Sequence, residues 1–311
     1  MELIRGLHNL RKSHRGCVAT VGNFDGVHIG HHAVLNQLKK KADELGLPTT
    51  VITFEPQPQE YFSPEGVPPR LTRLREKILA VKGHAIDRML CVRFNRAFAN
   101  LSADEFIQQI LVDGLAIKYL VVGDDFHFGK GRTGNFNLLR DAGSRFGFEV
   151  VSTQTYYQDD LRVSSTRIRD ALSEGGLECA KKLLDRHYGM CGRVAHGDKR
   201  GRTIGFPTAN IYVHRRATPI KGVFAIRMEG LEESSINGIA NIGTRPTVDG
   251  KRTLLEVHLF DFDRDIYGAY VNVIFLKKIR DEKRFESFDD LKVQIQNDVK
   301  VAKQYHAENP R

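Results

Sequence analysis

The segment Thr20–His31, TVGNFDGVHIGH, decides the fold of the first half of the chain. It completes a short apolar run that is typical of a strand, and its glycines permit a tight turn. Apolar residues then recur at steps of three or four, which predicts a helix that begins near Gly30 and ends at Gly46-Leu47-Pro48. A helix that begins directly after such a turn presents unpaired N–H groups and a positive dipole end, which together bind phosphate.

Outward from this segment, runs rich in Val, Ile and Phe alternate with helical patterns as far as about residue 175. Ser102 and Glu105 have the spacing of a capping box at the start of one further helix. This alternation predicts βαβ units on a parallel sheet, whose ligand crevice lies at the carboxyl ends of the strands. The predicted strands are Cys17–Val21, Thr49–Phe54, Met89–Phe94, Tyr119–Val122 and Phe148–Ser152.

The pattern changes after about residue 187, where strand-like runs follow one another with Gly, Asn, Asp and Pro turns between them. That spacing is typical of a small antiparallel sandwich or barrel. A last helix is expected from about Ser287, its N-cap, to Tyr305. We therefore expect two domains, residues 1–186 and 187–311. The predicted strands of the second domain are Gly192–Ala195, Val223–Met228, Ile236–Ile242, Leu254–Phe260 and Tyr270–Phe275.

The charge and composition limit the classes of partner. The 47 Lys and Arg residues exceed the 38 Asp and Glu residues by 9, without a basic tail. This excess fits small polyanionic substrates at least as well as a nucleic-acid surface, and we expect no nucleic-acid partner. No apolar run reaches the roughly 18 residues of a membrane span, and Met1–Asn9 lacks the apolar block of a signal peptide, so we expect a cytoplasmic protein without a membrane partner. The 4 cysteines form no C-x-x-C pair, which argues against disulfides and a thiolate zinc site. Nothing in the sequence indicates an oligomeric state.

His28 and His31 flank Gly30 where the first helix begins. A glycine there lets a nucleotide approach the backbone, and imidazoles beside it can donate hydrogen bonds to charge that develops on a triphosphate. This arrangement suits displacement at the α-phosphorus, which requires positioning rather than an enzyme nucleophile. The alternative is a glycine-rich turn with two surface histidines. A metal site of His28, His31 and His32 is disfavoured, because no Asp, Glu or Cys lies at ligand spacing.

Two further segments of the first half carry polar groups. Arg162–Arg169 combines three hydroxyls with three guanidiniums just before a helical stretch. Such a segment is either an N-cap with an exposed basic turn or a clamp for the β- and γ-phosphates of a nucleoside triphosphate. The histidine motif in the same domain favours the clamp. Gly123–Gly129 ends a strand with carboxylates and aromatic rings, so it is either a ligand-stacking site or an ordinary acidic turn.

These motifs resemble the nucleotidyltransferase superfamily. Gly22–His28, Gly123–Gly129 and Ser164-Ser165-Thr166 resemble, more narrowly, the FMN adenylyltransferase half of the bacterial bifunctional riboflavin kinase/FMN adenylyltransferase (FAD synthetase) family. The sequence departs from that family at Asp125, where many members have Asn, and a carboxylate offers no amide donor. The resemblance implies flavin contacts at Asp124, Asp125, Phe126 and Phe128, and ATP contacts at Gly22, Asn23, Phe24, Asp25, Gly26, His28, Gly30, His31, Arg162, Ser164, Ser165, Thr166 and Arg169.

The second half contains a glycine-rich loop followed by Pro207-Thr208-Ala209-Asn210. The loop could wrap phosphates, but it lacks the Lys and Ser/Thr of a Walker loop. In an extended segment Thr208 and Asn210 lie on one face, and their neutral oxygens suit a Mg²⁺ ion that keeps its waters and phosphate ligands; the alternative is a turn that enters a strand. Glu256 lies in an apolar strand, where it either faces solvent or acts in a closed site as the general base for a primary alcohol.

The motifs of the second half resemble the riboflavin kinase family, as do Lys221–Ala225 and Asn241–Thr247. Together, the resemblances of the two halves span about Arg5 to Tyr305. They imply that riboflavin is phosphorylated to FMN in a C-terminal barrel, and that FMN is adenylylated to FAD in a Rossmann-like N-terminal domain. The implied cofactors are Mg²⁺ and ATP, and the implied catalytic residues are Glu256, His28 and His31. The implied kinase ATP contacts are Gly197, Gly201, Arg202, Thr203, Gly205, Thr208 and Asn210, with Thr208 and Asn210 as metal ligands.

Two other classes were weighed against this hypothesis. A tRNA aminoacylating or tRNA-modifying enzyme with the same His-Ile-Gly-His core is disfavoured, because no K-M-S-K-S sequence is present and the second set of motifs would have no role. A flavin- or RNA-binding regulator with degraded sites is disfavoured because the chemically active residues of both motif sets are intact.

Overall fold

A computed structural model of the chain describes residues 1–123, 125–153, 156–195, 206–215, 217–247 and 250–310, with the backbone alone at 244–247 and 250–252. The chain forms two compact units. The first comprises Met1–Val67 and Thr72–Ser164, and the second comprises Pro68–Leu71 and Ser165–Arg311. The expected domain division between residues 186 and 187 stays a prediction.

The first unit is built on a six-stranded parallel sheet, as predicted. The strands are β1 (Glu2–Arg5), β2 (Val18–Val21), β3 (Thr49–Glu55), β4 (Arg88–Arg93), β5 (Tyr119–Gly123) and β6 (Glu149–Thr153), in the order β1-β4-β3-β2-β5-β6. The strand β2 pairs with β3 on one side and with β5 on the other. The strand order therefore reverses beside β2, and a ligand crevice is expected at the carboxyl ends of β2 and β5.

Helices bury both faces of this sheet. Alternate residues of β2 belong to different apolar cores: Ala19 and Val21 face one core, and Val18 faces the other. The helix α1 ends at Gly46, whose φ of 64° is the left-handed conformation that favours glycine. The helices are α1 (Ile29–Leu45), α2 (Pro58–Phe62), α3 (Leu74–Lys82), α4 (Arg96–Ala99), α5 (Ala103–Phe106, continued by a π-helix over Ile107–Gly114) and α6 (Phe136–Phe146). A hairpin of β7 (Tyr157–Gln158) and β8 (Leu161–Arg162) completes the unit.

The predicted capping box is confirmed at the start of α5. The Ser102 hydroxyl accepts a hydrogen bond from the Glu105 backbone N–H at 3.2 Å, and the Ser102 N–H donates to the Glu105 carboxylate at 2.7 Å. The two bonds together satisfy backbone donors that a helix start leaves open.

The second unit is a closed antiparallel barrel, which confirms the barrel expectation. Its strands are β9 (Gly189–Ala195), β10 (Ala209–Tyr212), β11 (Gly222–Glu229), β12 (Ile236–Thr247), β13 (Gly250–Leu259) and β14 (Tyr270–Arg280), in the order β10-β13-β12-β11-β14-β9. Two helices, α7 (Ser165–Ser173) and α8 (Leu177–Leu184), precede the barrel, and α9 (Phe288–Glu308) follows it.

The terminal helix α9 packs against the outside of the barrel. The hydroxyl of Ser287 caps its first turn by accepting a hydrogen bond from the Asp290 N–H at 3.1 Å, as expected. Ala302 of α9 is buried in a cluster with Val223 and Ala225 of β11. Among the helices that the structure describes, none has the length and apolar composition needed to cross a membrane.

Candidate active sites

The loop between β2 and α1 has a constrained backbone that is fixed at its centre. Phe24 and Val27 have φ values of 48° and 43°, a region that a β-branched residue rarely adopts, and Gly26 lies between them at 84°. The buried Asp25 carboxylate accepts hydrogen bonds from the Thr72 N–H at 2.9 Å and from its hydroxyl at 3.2 Å. The same hydroxyl accepts from the Gly26 N–H at 2.9 Å. Thr72 therefore positions this loop, although the sequence analysis did not single it out.

His28 and His31 cap the start of α1 reciprocally. The His28 N–H donates to Nδ1 of His31 at 3.3 Å, and the His31 N–H donates to Nδ1 of His28 at 3.4 Å. The two rings stack with centroids 3.7 Å apart. Because both Nδ1 atoms accept, each neutral ring carries its proton on Nε2. In this capping geometry Nε2 is the atom of each neutral imidazole that carries the N–H donor.

The glycines of this loop make room for aromatic rings. A Cβ atom on Gly30 would lie 3.2 Å from Cε1 and Nδ1 of His28, and one on Gly22 would lie 3.1 Å from the Phe24 ring. The exposed Asn23 accepts a hydrogen bond at its carbonyl from the Thr53 hydroxyl at 3.4 Å. Gly30 therefore has a packing role toward His28, in addition to the close ligand approach that the sequence predicts.

The segment after β5 is tied to the β7–β8 hairpin. Nη2 of Arg162 lies 2.6 Å from Oδ2 of Asp125, and both side chains are exposed. The Phe126 and Phe128 rings stack at 5.5 Å, and the buried Phe128 contacts Phe106 at 5.0 Å. Phe128 is thus a core residue that supports Phe126. Asp124 lies outside the described residues.

The predicted phosphate clamp is divided between the two units. Arg162 and the half-buried Ser164 belong to the first unit, whereas Ser165, Thr166 and Arg169 belong to helix α7 of the second. Nε of Arg169 donates to the Pro69 carbonyl at 2.8 Å within that unit. A cavity of about 560 Å³ is lined there by Thr166 and Arg169, together with Lys221 and Lys278.

The barrel brings the candidate residues of the second site onto one face. Glu256 of β13 is the register partner of Asn210 on β10 and of Asn241 on β12. Directly opposed residues of paired strands share a face. Leu255 and Val257, on either side of Glu256, are buried. Glu256 therefore projects outward from the barrel with Asn210 and Asn241, which answers the question of its face that the sequence left open.

Glu256 lines a cavity of about 510 Å³ outside the barrel. Thr208 and His258 line the same cavity. Helix α9 contributes four apolar side chains and Asp298 to the lining, and the segment before it contributes Arg280, Glu282 and Lys283. The helix is fixed there by an ion pair in which Nη2 of Arg280 lies 2.8 Å from the buried Asp298 carboxylate. The four apolar residues of α9 in this lining are Phe288, Leu291, Ile295 and Val299.

The donor set around this cavity suits Mg²⁺ that is held jointly with phosphate. Thr208 is exposed and Asn210 half-buried, and they offer a hydroxyl and an amide oxygen near the Glu256 carboxylate. Hard, neutral oxygen ligands of this kind fit an ion that keeps several waters and phosphate oxygens. No cluster of three or more His, Cys, Asp or Glu ligands occurs in the described part of the chain. The loop residues Gly197, Gly201, Arg202, Thr203 and Gly205 lie outside the described residues.

Two family models match separate parts of the chain, and known proteins match nearly all of it. The FAD synthetase family model matches residues 10–167, and the riboflavin kinase family model matches residues 184–306. The bifunctional riboflavin kinase/FMN adenylyltransferase of Haemophilus influenzae is 52% identical over 98% of this chain and 99% of its own length. The protein of the same name from Escherichia coli K12 is 51% identical over 98% of each chain. A crystal structure described as a macrolide-efflux protein from Streptococcus pneumoniae aligns with a TM-score of 0.83 at 30% identity, over 97% of this chain and 99% of that one.

Proposed function

The chain belongs to the family of bifunctional riboflavin kinase/FMN adenylyltransferases, and on that premise we propose how its own residues perform the two reactions. The C-terminal half converts riboflavin to FMN, and the N-terminal half converts FMN to FAD. We propose that ATP is the phosphoryl donor in one half and the adenylyl donor in the other. Small-molecule substrates follow from these activities, whereas a cytoplasmic location and the lack of a nucleic-acid partner stay predictions.

In the kinase reaction, Glu256 is the proposed general base. The observation that carries this role is its outward position on β13, in a cavity with Thr208 and beside Asn210 in register. The ribityl hydroxyl loses its proton to Glu256 as its oxygen bonds to the γ-phosphorus, and the bond between that phosphorus and the β-phosphate oxygen breaks to release ADP. The apolar side chains of α9 in the lining are suited to the flat flavin ring.

Thr208 and Asn210 would hold Mg²⁺ in this half. The ion, when bound, neutralises the negative charge of the phosphate oxygens. The chain's own contribution is geometric: pairing of Asn210 with Glu256 fixes the spacing between a ligand-bearing strand and the base. Further ATP contacts at Gly197, Gly201, Arg202, Thr203 and Gly205 stay predictions from the sequence.

In the adenylyltransferase reaction, His28 and His31 are proposed to donate from Nε2 to the phosphate oxygens. An oxygen of the FMN phosphate attacks the α-phosphorus, and the bond to the β-phosphate oxygen breaks to release pyrophosphate. Their reciprocal caps support this role, because they orient both donors before the ligand arrives. Phe126 is proposed to stack on the flavin. The Asp125–Arg162 ion pair is proposed to position the chain segment that carries Phe126. Roles for Ser164, Ser165, Thr166 and Arg169 at phosphate stay predictions.

The two halves can be tested in one chain by following both products. We expect Glu256→Gln to lower FMN formation by about 100-fold or more, because a general base is lost, while supplied FMN is still converted to FAD. His28→Ala should lower FAD formation by about 100-fold and leave FMN formation intact. Chromatography of the flavins measures both.

Matched controls are available on the surface of each unit. Glu233→Gln and His8→Ala replace exposed residues of the same types and should change neither product. Equal loss of both activities in Glu256→Gln would contradict the proposal that Glu256 acts as a base in the kinase reaction alone. Normal FAD synthesis in His28→Ala would exclude His28 as a donor to the transition state.

A further inference from the structure

His258 contacts the segment that carries Thr208. Its Nδ1 lies 2.8 Å from the Pro207 carbonyl oxygen. A carbonyl oxygen can only accept, so Nδ1 carries the proton and donates. The ring meets Phe206 edge-on at 5.5 Å and Phe260 at 5.9 Å, contacts that restrict its orientation.

The pairing of the strands leaves Thr208 beyond the end of the ladder. The register of β10 with β13 begins at Ala209 opposite Val257, so Thr208 precedes the first paired residue. One further step of that register would bring Thr208 opposite His258. Within the described residues no ladder pair includes Thr208, and the bond from His258 holds the adjacent peptide at Pro207.

His258 also shares the face of the proposed base. Val257 is buried, so the residues on either side of it in β13, Glu256 and His258, project together to the outside of the barrel. Both line the 510 Å³ cavity with Thr208. A single strand thus carries the candidate base and, two residues later, a group that restrains the candidate metal ligand.

We propose that His258 is a positioning residue for the kinase reaction, and that its Nδ1–H bond to the Pro207 carbonyl orients the Thr208 hydroxyl toward the magnesium–nucleotide complex. The inference rests on the proposed role of Thr208 as a metal ligand. Groups that orient a ligand of a metal contribute to its affinity without touching the ion. His258 acts through the peptide of Pro207 and has no part in proton transfer.

Two amide substitutions distinguish the bond from the mere presence of a polar side chain. In His258→Asn the amide nitrogen stands in for Nδ1, whereas in His258→Gln it reaches the position of Nε2. His258→Phe keeps an aromatic ring but has no donor. The measurement is calorimetric titration of the full chain with MgADP, and with ADP in the presence of EDTA. Every protein carries His28→Ala, so that nucleotide binding in the first unit is reduced equally.

We expect His258→Gln and His258→Phe to weaken MgADP binding about 10-fold and to leave metal-free ADP binding unchanged. His258→Asn should bind MgADP nearly as well as the parent. Circular dichroism melts show whether each variant is folded, and the Phe variant tests the bond if the Gln variant does not fold. Parent-like affinity in the Gln and Phe variants would overturn the inference, as would equal weakening in Asn and Gln, since that would assign the effect to the ring.

Thr208→Ala, measured in parallel, separates this inference from the function on which it rests. If Thr208→Ala leaves MgADP affinity unchanged, the proposed metal role is wrong. If Thr208→Ala weakens binding and His258→Gln does not, only the role of His258 is wrong. If both weaken MgADP binding and His258→Asn restores it, both roles hold.

Discussion

Replacement of Gly30 by alanine should separate the stability of helix α1 from the activity that its first turn supports. The added Cβ would lie 3.2 Å from two atoms of the His28 ring, closer than normal van der Waals contact, so the ring must move by a few tenths of an ångström. Alanine is favoured over glycine inside a helix by about 0.5–1 kcal/mol, whereas disturbing an N-cap costs about 0.5–2 kcal/mol. The net change in the free energy of unfolding should therefore lie between a gain of about 0.5 kcal/mol and a loss of about 1.5 kcal/mol.

The effect on activity should be confined to the reaction that uses His28. A misplacement of about 1 Å can cost roughly 100-fold in rate, so a shift of a few tenths of an ångström in His28 should lower FAD synthesis roughly three- to six-fold. Conversion of riboflavin to FMN by the same protein should be unaffected. The assay supplies FMN in one reaction and riboflavin in another, and circular dichroism melts record stability.

Gly66→Ala is the matched control for this prediction. A Cβ at that position has nothing within 4 Å, so neither product nor the melting temperature should change. If Gly30→Ala synthesises FAD at the parent rate, the position of His28 does not limit the reaction, and the geometric reasoning is refuted. If FMN and FAD formation fall together, the substitution has disturbed more than the first turn of α1.

Two other perturbations follow from buried contacts. Thr72→Val removes the hydroxyl that donates a hydrogen bond to Asp25, which should lower the free energy of unfolding by about 1 kcal/mol. FAD synthesis should fall while FMN formation continues. Unchanged FAD synthesis would show that the loop keeps its shape without this hydroxyl. Burial lowers the pKa of His306 below its ordinary value of 6.5, so the unfolded chain binds this proton more tightly than the barrel does. The free energy of unfolding of the barrel should therefore fall as the pH drops below about 6.5 and level off below the lowered pKa, and His306→Gln should flatten that fall in urea titrations followed by circular dichroism. An equal fall in the variant would assign the effect to other groups.

The elements that the sequence predicted were those with dense apolar patterns. The strand β3 buries 6 of its 7 residues and β4 buries 4 of its 6, and both contain apolar residues in close succession. Four short strands, β1, β7, β8 and β10, were missed for the opposite reason. Of these, β1 buries only Ile4 and β10 only Ile211, so neither shows an apolar run. The pairing of β1 and β10 depends on partners distant in the chain, which no local pattern records.

The same limit applies to the candidate sites. The glycines and histidines between β2 and α1 are local, and their chemistry could be predicted from one stretch of sequence. Thr72, which fixes that loop, lies 47 residues beyond Asp25 in the chain. The bond from His258 to Pro207 spans 51 residues. Contacts at such separations are set by tertiary structure, so a local pattern can point to candidate reactive groups but not to the residues that hold them.

The second site shows why a small barrel needs its terminal helix. A closed barrel of only six strands has an interior that side chains fill, and Phe224 and Phe275 are fully buried in this one, so we expect a flavin to bind outside the barrel. An outward-facing strand residue such as Glu256 would ordinarily be in solvent. Helix α9 covers that face, and the apolar positions Leu291 and Ile295, which fit the helical period of a packing face, line the cavity instead. The helix thus gives the barrel face that carries the proposed base an apolar border, which a carboxylate on a bare barrel surface would lack.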